Sequence, residues 1–114
     1  MPYRLTFRLS NTLGRVPPLL RSEATRITSE GLRIGEAAAK GRAPVDTGYL
    51  RSSIGTRMSG PYSGALEARA NYAVHVEYGT RRMRAQPFMS YGERAARDFI
   101  QREWANFERK VPRA

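Results

Sequence analysis

The sequence contains no cysteine, and it has one histidine, His75, in 114 residues. Without thiols the chain can form neither a disulfide framework nor a thiolate metal site. A metal site would have to be assembled from distant carboxylates, and no ligand spacing in the sequence indicates one. We therefore predict a protein without a metal or any other cofactor. The lack of cysteine also suits folding in a reducing cytoplasm.

Long apolar runs are also lacking, since the longest uninterrupted apolar stretches are only a few residues. No transmembrane helix and no secretory signal are predicted from such a pattern. A chain of this length is an ordinary size for a single domain with one core. We expect a soluble protein, made in the cytoplasm, that forms one domain over residues 1–114.

Acidic side chains are few: 10 stand against 20 basic ones, so the formal net charge is +10. Such a surface attracts polyanions, because neutralised phosphates release counterions. Arginine, which supplies most of the charge, is also enriched in protein interfaces. The densest basic cluster comprises Arg81, Arg82 and Arg84. This cluster is a candidate to face DNA or an acidic neighbouring subunit, and a solvated loop is the ordinary alternative.

Hydrophobic periodicity predicts an α+β fold, in which a long N-terminal helix and a C-terminal helix pack against a small antiparallel sheet. Strict alternation from Tyr3 to Leu9 predicts an N-terminal strand or arm within residues 1–10. Two short strands with a turn between them predict a β-hairpin over residues 53–70. The pattern Ser90-x-x-Glu93 is typical of a capping box and predicts a C-terminal helix over residues 90–110.

The long N-terminal helix is predicted over residues 17–40. Apolar residues recur there in alternating steps of three and four, a stripe that includes Ile27, Ile34 and Ala38. Pro17 and Pro18 are compatible with a first helical turn. We expect Gly41 to terminate this helix and Pro44 to prevent its resumption.

Catalysis was considered for Asp46-Thr47-Gly48, the tripeptide of aspartic proteases. A chain of this length would have to dimerise to bring two such carboxylates together. However, the preceding residues are typical of a helix end and a turn rather than a buried strand. We favour the interpretation that Asp46 or Thr47 caps a short helix over residues 49–52. Glu77 is expected to be an interface or hydrogen-bonding group rather than a general acid, and we predict that the protein is not an enzyme.

Three motifs in fixed order follow one another along the chain: APVDTGYLRSSI at residues 43–54, NYAVHVEYGT at residues 71–80 and AQPFM at residues 85–89. With the flanking helices, they resemble the neck or tail-completion (head–tail joining) proteins of long-tailed double-stranded-DNA bacteriophages. The positions that match the family pattern are Pro44, Asp46, Thr47, Gly48, Leu50, Arg51, Ser53, Tyr72, Ala73, Val76, Glu77, Gly79, Thr80, Pro87 and Phe88.

The resemblance implies a structural virion protein that forms a ring at the head–tail junction, joins the DNA-filled head to the tail and lines the DNA path. It implies six copies or otherwise twelve, with no catalytic residue among the matching positions. The implied partners are other copies of the chain, the adjacent connector or head-closure protein, a tail-terminator or tail-tube protein, and double-stranded DNA in the channel. No membrane is implied. The residues alone leave one alternative open, a small basic non-enzymatic nucleic-acid-binding protein.

Overall fold

The computed structural model describes residues 5–9, 16–44 and 48–110, and this part of the chain has the predicted α+β fold. Helices α1 and α4 pack against each other, and both contact a three-stranded antiparallel sheet of order β1-β3-β2. The strands are β1 (Leu5–Leu9), β2 (Ile54–Gly60) and β3 (Ser63–Ala68). The helices are α1 (Arg21–Arg42), α2 (Tyr49–Ser52), α3 (Ala73–Tyr78) and α4 (Met89–Lys110).

Strand β3 lies at the centre of the sheet. It pairs with β2 through the predicted hairpin and with β1 on its other edge, where Leu5 lies opposite Ala68. The N-terminal strand predicted from alternation therefore gains the partner that an isolated strand needs. Leu66 and Ala68 are fully buried in a core that also receives Phe88. Tyr3, the first residue of the predicted strand, lies outside the described residues.

Helix α1 is observed as predicted in this region, but it begins at Arg21 rather than at residue 17, and its buried face and its end also differ from expectation. The buried face is formed by Ala24, Ile27, Thr28, Gly31, Leu32, Gly35 and Ala39. The prediction for Ile34 was wrong, since this side chain is 39% exposed. A strict heptad pattern drifts by about 20° per seven residues around a straight helix, so the buried face passes from Ile27 to Leu32 and Gly35.

The prediction that Gly41 ends α1 was also wrong. The helix continues through Gly41 and ends at Arg42. At its other end, a short 3₁₀ turn at Pro18–Leu20 comes before the first residue of α1. Ala43 is extended (φ −64°, ψ 134°), and its N–H donates to the carbonyl of Ala39 at 2.9 Å. The physical cause of the stop is Pro44, because proline disfavours the helical conformation in the residue before it.

Helices α1 and α4 approach closely at a patch of small residues. A Cβ placed on Gly35 would lie 2.8 Å from the carbonyl oxygen of Gly92 and 2.8 Å from the Cβ of Ala96. Those distances are too short for a real side chain, so glycine permits this helix spacing. Further along the pair, Ile27, Ile100 and Trp104 form a second buried cluster. Within the described residues, no helix combines the length and apolar character needed to cross a membrane.

Candidate interaction site

The first motif folds around the end of α1. Gly48 (φ 79°) occupies the N-cap position of α2 and provides no side-chain hydrogen bond. The residues predicted to cap this helix, Asp46 and Thr47, lie outside the described part of the chain, so that prediction stays a prediction. Arg51 holds α2 against α1, since its Nε–H donates to the carbonyl of Lys40 at 3.0 Å. That carbonyl belongs to the last turn of α1, where intrahelical donors are lacking.

Ser53 joins this segment to the sheet. Its hydroxyl donates to the carbonyl of Leu50 at 2.7 Å and closes α2. Its own carbonyl accepts the backbone N–H of Arg69 at 3.2 Å, just beyond the end of β3. Leu50 itself is buried in the core. The first motif thus links α1, α2 and the sheet.

The second motif forms α3, a helix that was not predicted. Ala73, Val76 and Glu77 are its buried residues, and Tyr72 immediately before it is 37% exposed. The ring of Tyr72 lies 6.2 Å from the ring of Tyr49 in the first motif. The first two motifs, some twenty residues apart in sequence, are therefore in contact through an aromatic pair.

Glu77 caps the long helix α4 from outside that helix. Its Oε1 accepts the backbone N–H groups of Phe88 at 3.1 Å and Met89 at 2.8 Å. Its Oε2 accepts the N–H of Ser90 at 3.2 Å and the Ser90 hydroxyl at 2.6 Å. A carboxylate at this end of a helix satisfies unpaired donors and interacts favourably with the helix dipole.

The capping box predicted from Ser90 and Glu93 was therefore wrong. Ser90 lies inside α4, which begins at Met89. Glu93 instead pairs with Arg97 one turn later, with 2.6 Å between Oε1 and Nη2. The expectation that Glu77 serves as a hydrogen-bonding group fits the observed contacts, all of them to the first turn of α4.

The segment that follows α3 is a tight loop carrying the basic cluster. Gly79 adopts φ 79° and ψ 173°, a conformation that is essentially restricted to glycine. Thr80 and Met83 exchange two backbone hydrogen bonds of 2.9 and 3.4 Å. The Thr80 hydroxyl also accepts the N–H of Arg82 at 3.2 Å. Gln86 returns the chain to α3, because its N–H donates to the carbonyl of Val76 at 2.8 Å.

This loop exposes three guanidinium groups. Arg81 and Arg82 lie at the tip of the Thr80–Met83 turn, and Arg84 follows it. None of the three forms an ion pair with another residue in the described ranges. The third motif continues from this loop, with Pro87 exposed and Phe88 fully buried under the start of α4.

A cavity of about 200 Å³ lies where the three motifs meet. Its lining includes Leu50 from the first motif, Tyr72 and Val76 from the second, Gln86 from the third, and Met83 from the basic loop. Among the residues that the structure describes, no group of three or more metal-ligating side chains is close enough to hold an ion. This cavity was not predicted from the sequence, since α3 itself was not predicted.

A second basic cluster lies on the sheet and was not singled out from the sequence. Glu67 on β3 is buried and points away from the core face that Leu66 occupies. The guanidinium Nη2 of Arg57 lies 2.9 Å from Oε1 of Glu67, and Nε of Arg69 lies 3.4 Å from its Oε2. Glu67 thus offsets part of this cluster's charge, unlike the loop, which has no described acidic neighbour.

The fold and the site define a small α+β protein whose signature residues build a helix cap, two turns and an apolar cavity. The family model described as "Bacteriophage HK97-gp10, putative tail-component" matches residues 7–79, which is more than half of the chain. The chain therefore belongs to this family of phage tail components, and the resemblance to tail-completion proteins is confirmed. No curated protein and no solved structure gives a significant match.

Proposed function

We propose that this protein is a structural, non-enzymatic subunit of the head–tail junction of a long-tailed phage. In the virion, six or otherwise twelve copies form a ring that joins the DNA-filled head to the tail and lines the DNA path. The observation that carries the proposal is the family match, which covers the first motif and the second motif up to Gly79. The use of the Glu77 carboxylate as a helix cap supports a structural role for the second motif.

A ring of this kind is built from heterologous interfaces, in which one surface of each subunit contacts a different surface of the next. Above and below it lie a connector or head-closure protein and a tail-terminator or tail-tube protein. Six copies with a formal charge of +10 would bring about sixty positive charges (6 × 10) around the axis. Acidic neighbouring proteins and the DNA in the channel are the polyanions that can offset this charge.

The proposal is tested in the phage itself. A stop codon in the gene should yield filled heads and separate tails, and the protein supplied in trans should restore joined particles. Quantitative mass spectrometry of purified virions should find six or twelve copies for each portal ring. Infectious, joined particles that lack the protein would overturn the proposal.

The alternative, a basic nucleic-acid-binding protein, predicts a different gene position and different DNA binding. A junction protein's gene should lie between the capsid and tail-tube genes, whereas a regulator's gene need not. The purified protein should bind duplex DNA without sequence preference, with an affinity that falls steeply as salt rises. Tight binding to one sequence at physiological salt, together with absence from virions, would favour the alternative.

A further inference from the structure

We propose that the cavity between the three motifs, together with its arginine loop, binds an acidic segment of a neighbouring virion protein through one large apolar side chain. The inference rests on the proposed function only in placing that neighbour in the virion. It assigns a protein partner to Arg81, Arg82 and Arg84, for which the sequence alone is compatible with either DNA or an acidic neighbouring subunit.

The size and lining of the cavity indicate one anchoring side chain. Its volume of about 200 Å³ is below the roughly 300–1,000 Å³ of sites that hold small molecules and cofactors. Leu50, Val76 and Met83 make its interior apolar. Protein interfaces commonly place an aromatic or aliphatic anchor in such a pocket and surround it with polar groups.

The surroundings of the cavity are strongly basic. The sequence has no acidic residue between Glu77 and Glu93, and the Glu77 carboxylate is buried against α4. Asp46 stands between two cavity-lining residues in the sequence and lies outside the described residues; even counted in full, its single negative charge is fewer than the three positive charges of the loop. Complementary charge across an interface favours an acidic partner and speeds its association.

The loop joins both features in one rigid element. Met83 contributes to the cavity, while Arg81, Arg82 and Arg84 extend into solvent from the same turn. The two hydrogen bonds between Thr80 and Met83 hold that turn. A partner therefore meets a surface that is already ordered, which lowers the entropic cost of binding.

Two other occupants fit less well. Duplex DNA contacts proteins mainly through phosphate and sugar, and backbone contacts of that kind make no use of an apolar cavity. If a second copy of the chain occupied the cavity, the side chain to enter it would be Leu19, which at 95% is the most exposed apolar side chain among the described residues. Leu19 lies two residues from exposed Arg21, which would meet the basic loop with like charge.

The binding test uses short peptides and the methionine methyl groups as probes. The first peptide has glutamates around a central phenylalanine; one control replaces phenylalanine by alanine and another replaces the glutamates by lysines. With ¹³C-methyl-labelled methionine, the first peptide should shift the Met83 resonance and leave Met58, on the hairpin, unchanged. Each control peptide should bind at least about tenfold more weakly.

Charge-reversal variants test the role of the loop. The variant Arg81→Glu, Arg82→Glu, Arg84→Glu and the control Arg33→Glu, Arg102→Glu, Arg109→Glu both lower the formal net charge from +10 to +4 (10 − 6). All six arginines are exposed. The loop variant should bind the acidic peptide at least about tenfold more weakly than the control variant, and it should fail to join heads to tails.

Three results would overturn the inference. The acidic peptide could leave the Met83 methyl resonance unshifted. Duplex DNA could shift that resonance, and this result would assign the cavity to DNA. Alternatively, self-association that Leu19→Asp abolishes would assign it to a second copy. Failure of the proposed function would be seen separately, as joined phage particles that lack the protein although the peptide binds at Met83.

Discussion

Removal of the Glu77 carboxylate should destabilise the fold more than removal of any exposed carboxylate. In Glu77→Ala, the N–H groups of Phe88, Met89 and Ser90 lose their acceptor at the start of α4. Phe88 and Met89 are fully buried, so water cannot readily replace the carboxylate there. A buried donor without a partner costs about 1–3 kcal/mol, and loss of a helix cap alone costs about 0.5–2 kcal/mol.

We expect a loss of about 3–4 kcal/mol in the free energy of unfolding for Glu77→Ala, because Ser90 is near enough to solvent for partial relaxation. At about 4 °C per kcal/mol, the melting temperature should fall by about 12–16 °C. Glu77→Gln keeps one acceptor oxygen but loses the charge, so its cost should be about half as large. Glu93→Ala is the matched control, since it removes a partly exposed pair with Arg97 within one helix, which contributes only about 0.3–0.5 kcal/mol.

Urea denaturation followed by the fluorescence of Trp104 measures these differences. Trp104 is the single tryptophan, is buried and lies on α4, so it reports the helix whose cap is removed. Hydrogen exchange should also show loss of protection at the amides of Met89 and Ser90. If Glu77→Ala unfolds within about 1 kcal/mol of Glu93→Ala, the cap contributes little and the reasoning fails.

Three further predictions concern backbone and charge. Gly35→Ala should destabilise the fold by about 1–3 kcal/mol, because its methyl group would lie 2.8 Å from atoms of α4. The control Gly41→Ala on the same helix has open space around it and should stabilise the fold by up to about 1 kcal/mol. Equal melting temperatures of the two variants would contradict the close approach of α1 to α4. Gly79→Ala should cost about 2–3 kcal/mol from backbone strain and contact with the loop, and a wild-type melting curve would refute this. The hydrogen bond from Arg26 lowers the pKa of Glu23 below its usual 4.5. The pair therefore stabilises the fold above pH 4.5, and this stabilisation is lost as the pH falls through the lowered pKa. Arg26→Gln should raise the Glu23 pKa in a carboxyl NMR titration, with little change in stability at pH 7 because both groups are exposed.

Local sequence patterns were sufficient to predict the elements whose cause is local. Apolar periodicity predicted α1 and α4, and a turn between two short strands predicted the β2–β3 hairpin, to within a few residues of their observed bounds. The order and spacing of the three motifs indicated the phage family, which the match over residues 7–79 confirmed. The end of α1 also had a local cause. The stop predicted at Gly41 was wrong, whereas Pro44, which was predicted to prevent resumption, lies just after the observed end, since glycine can remain helical and the residue before proline rarely is.

The way in which the motifs meet depends on tertiary packing. Glu77 caps a helix that begins 12 residues later, and a capping pattern within one segment cannot reveal such a contact. The same holds for the approach of Gly35 to Gly92 and for the cavity that Leu50, Val76 and Met83 share. Each of these features joins residues that are distant in sequence, and each exists only after α1, α3 and α4 have packed. Local periodicity specifies which face of an element is apolar, but it does not specify the element against which that face will pack.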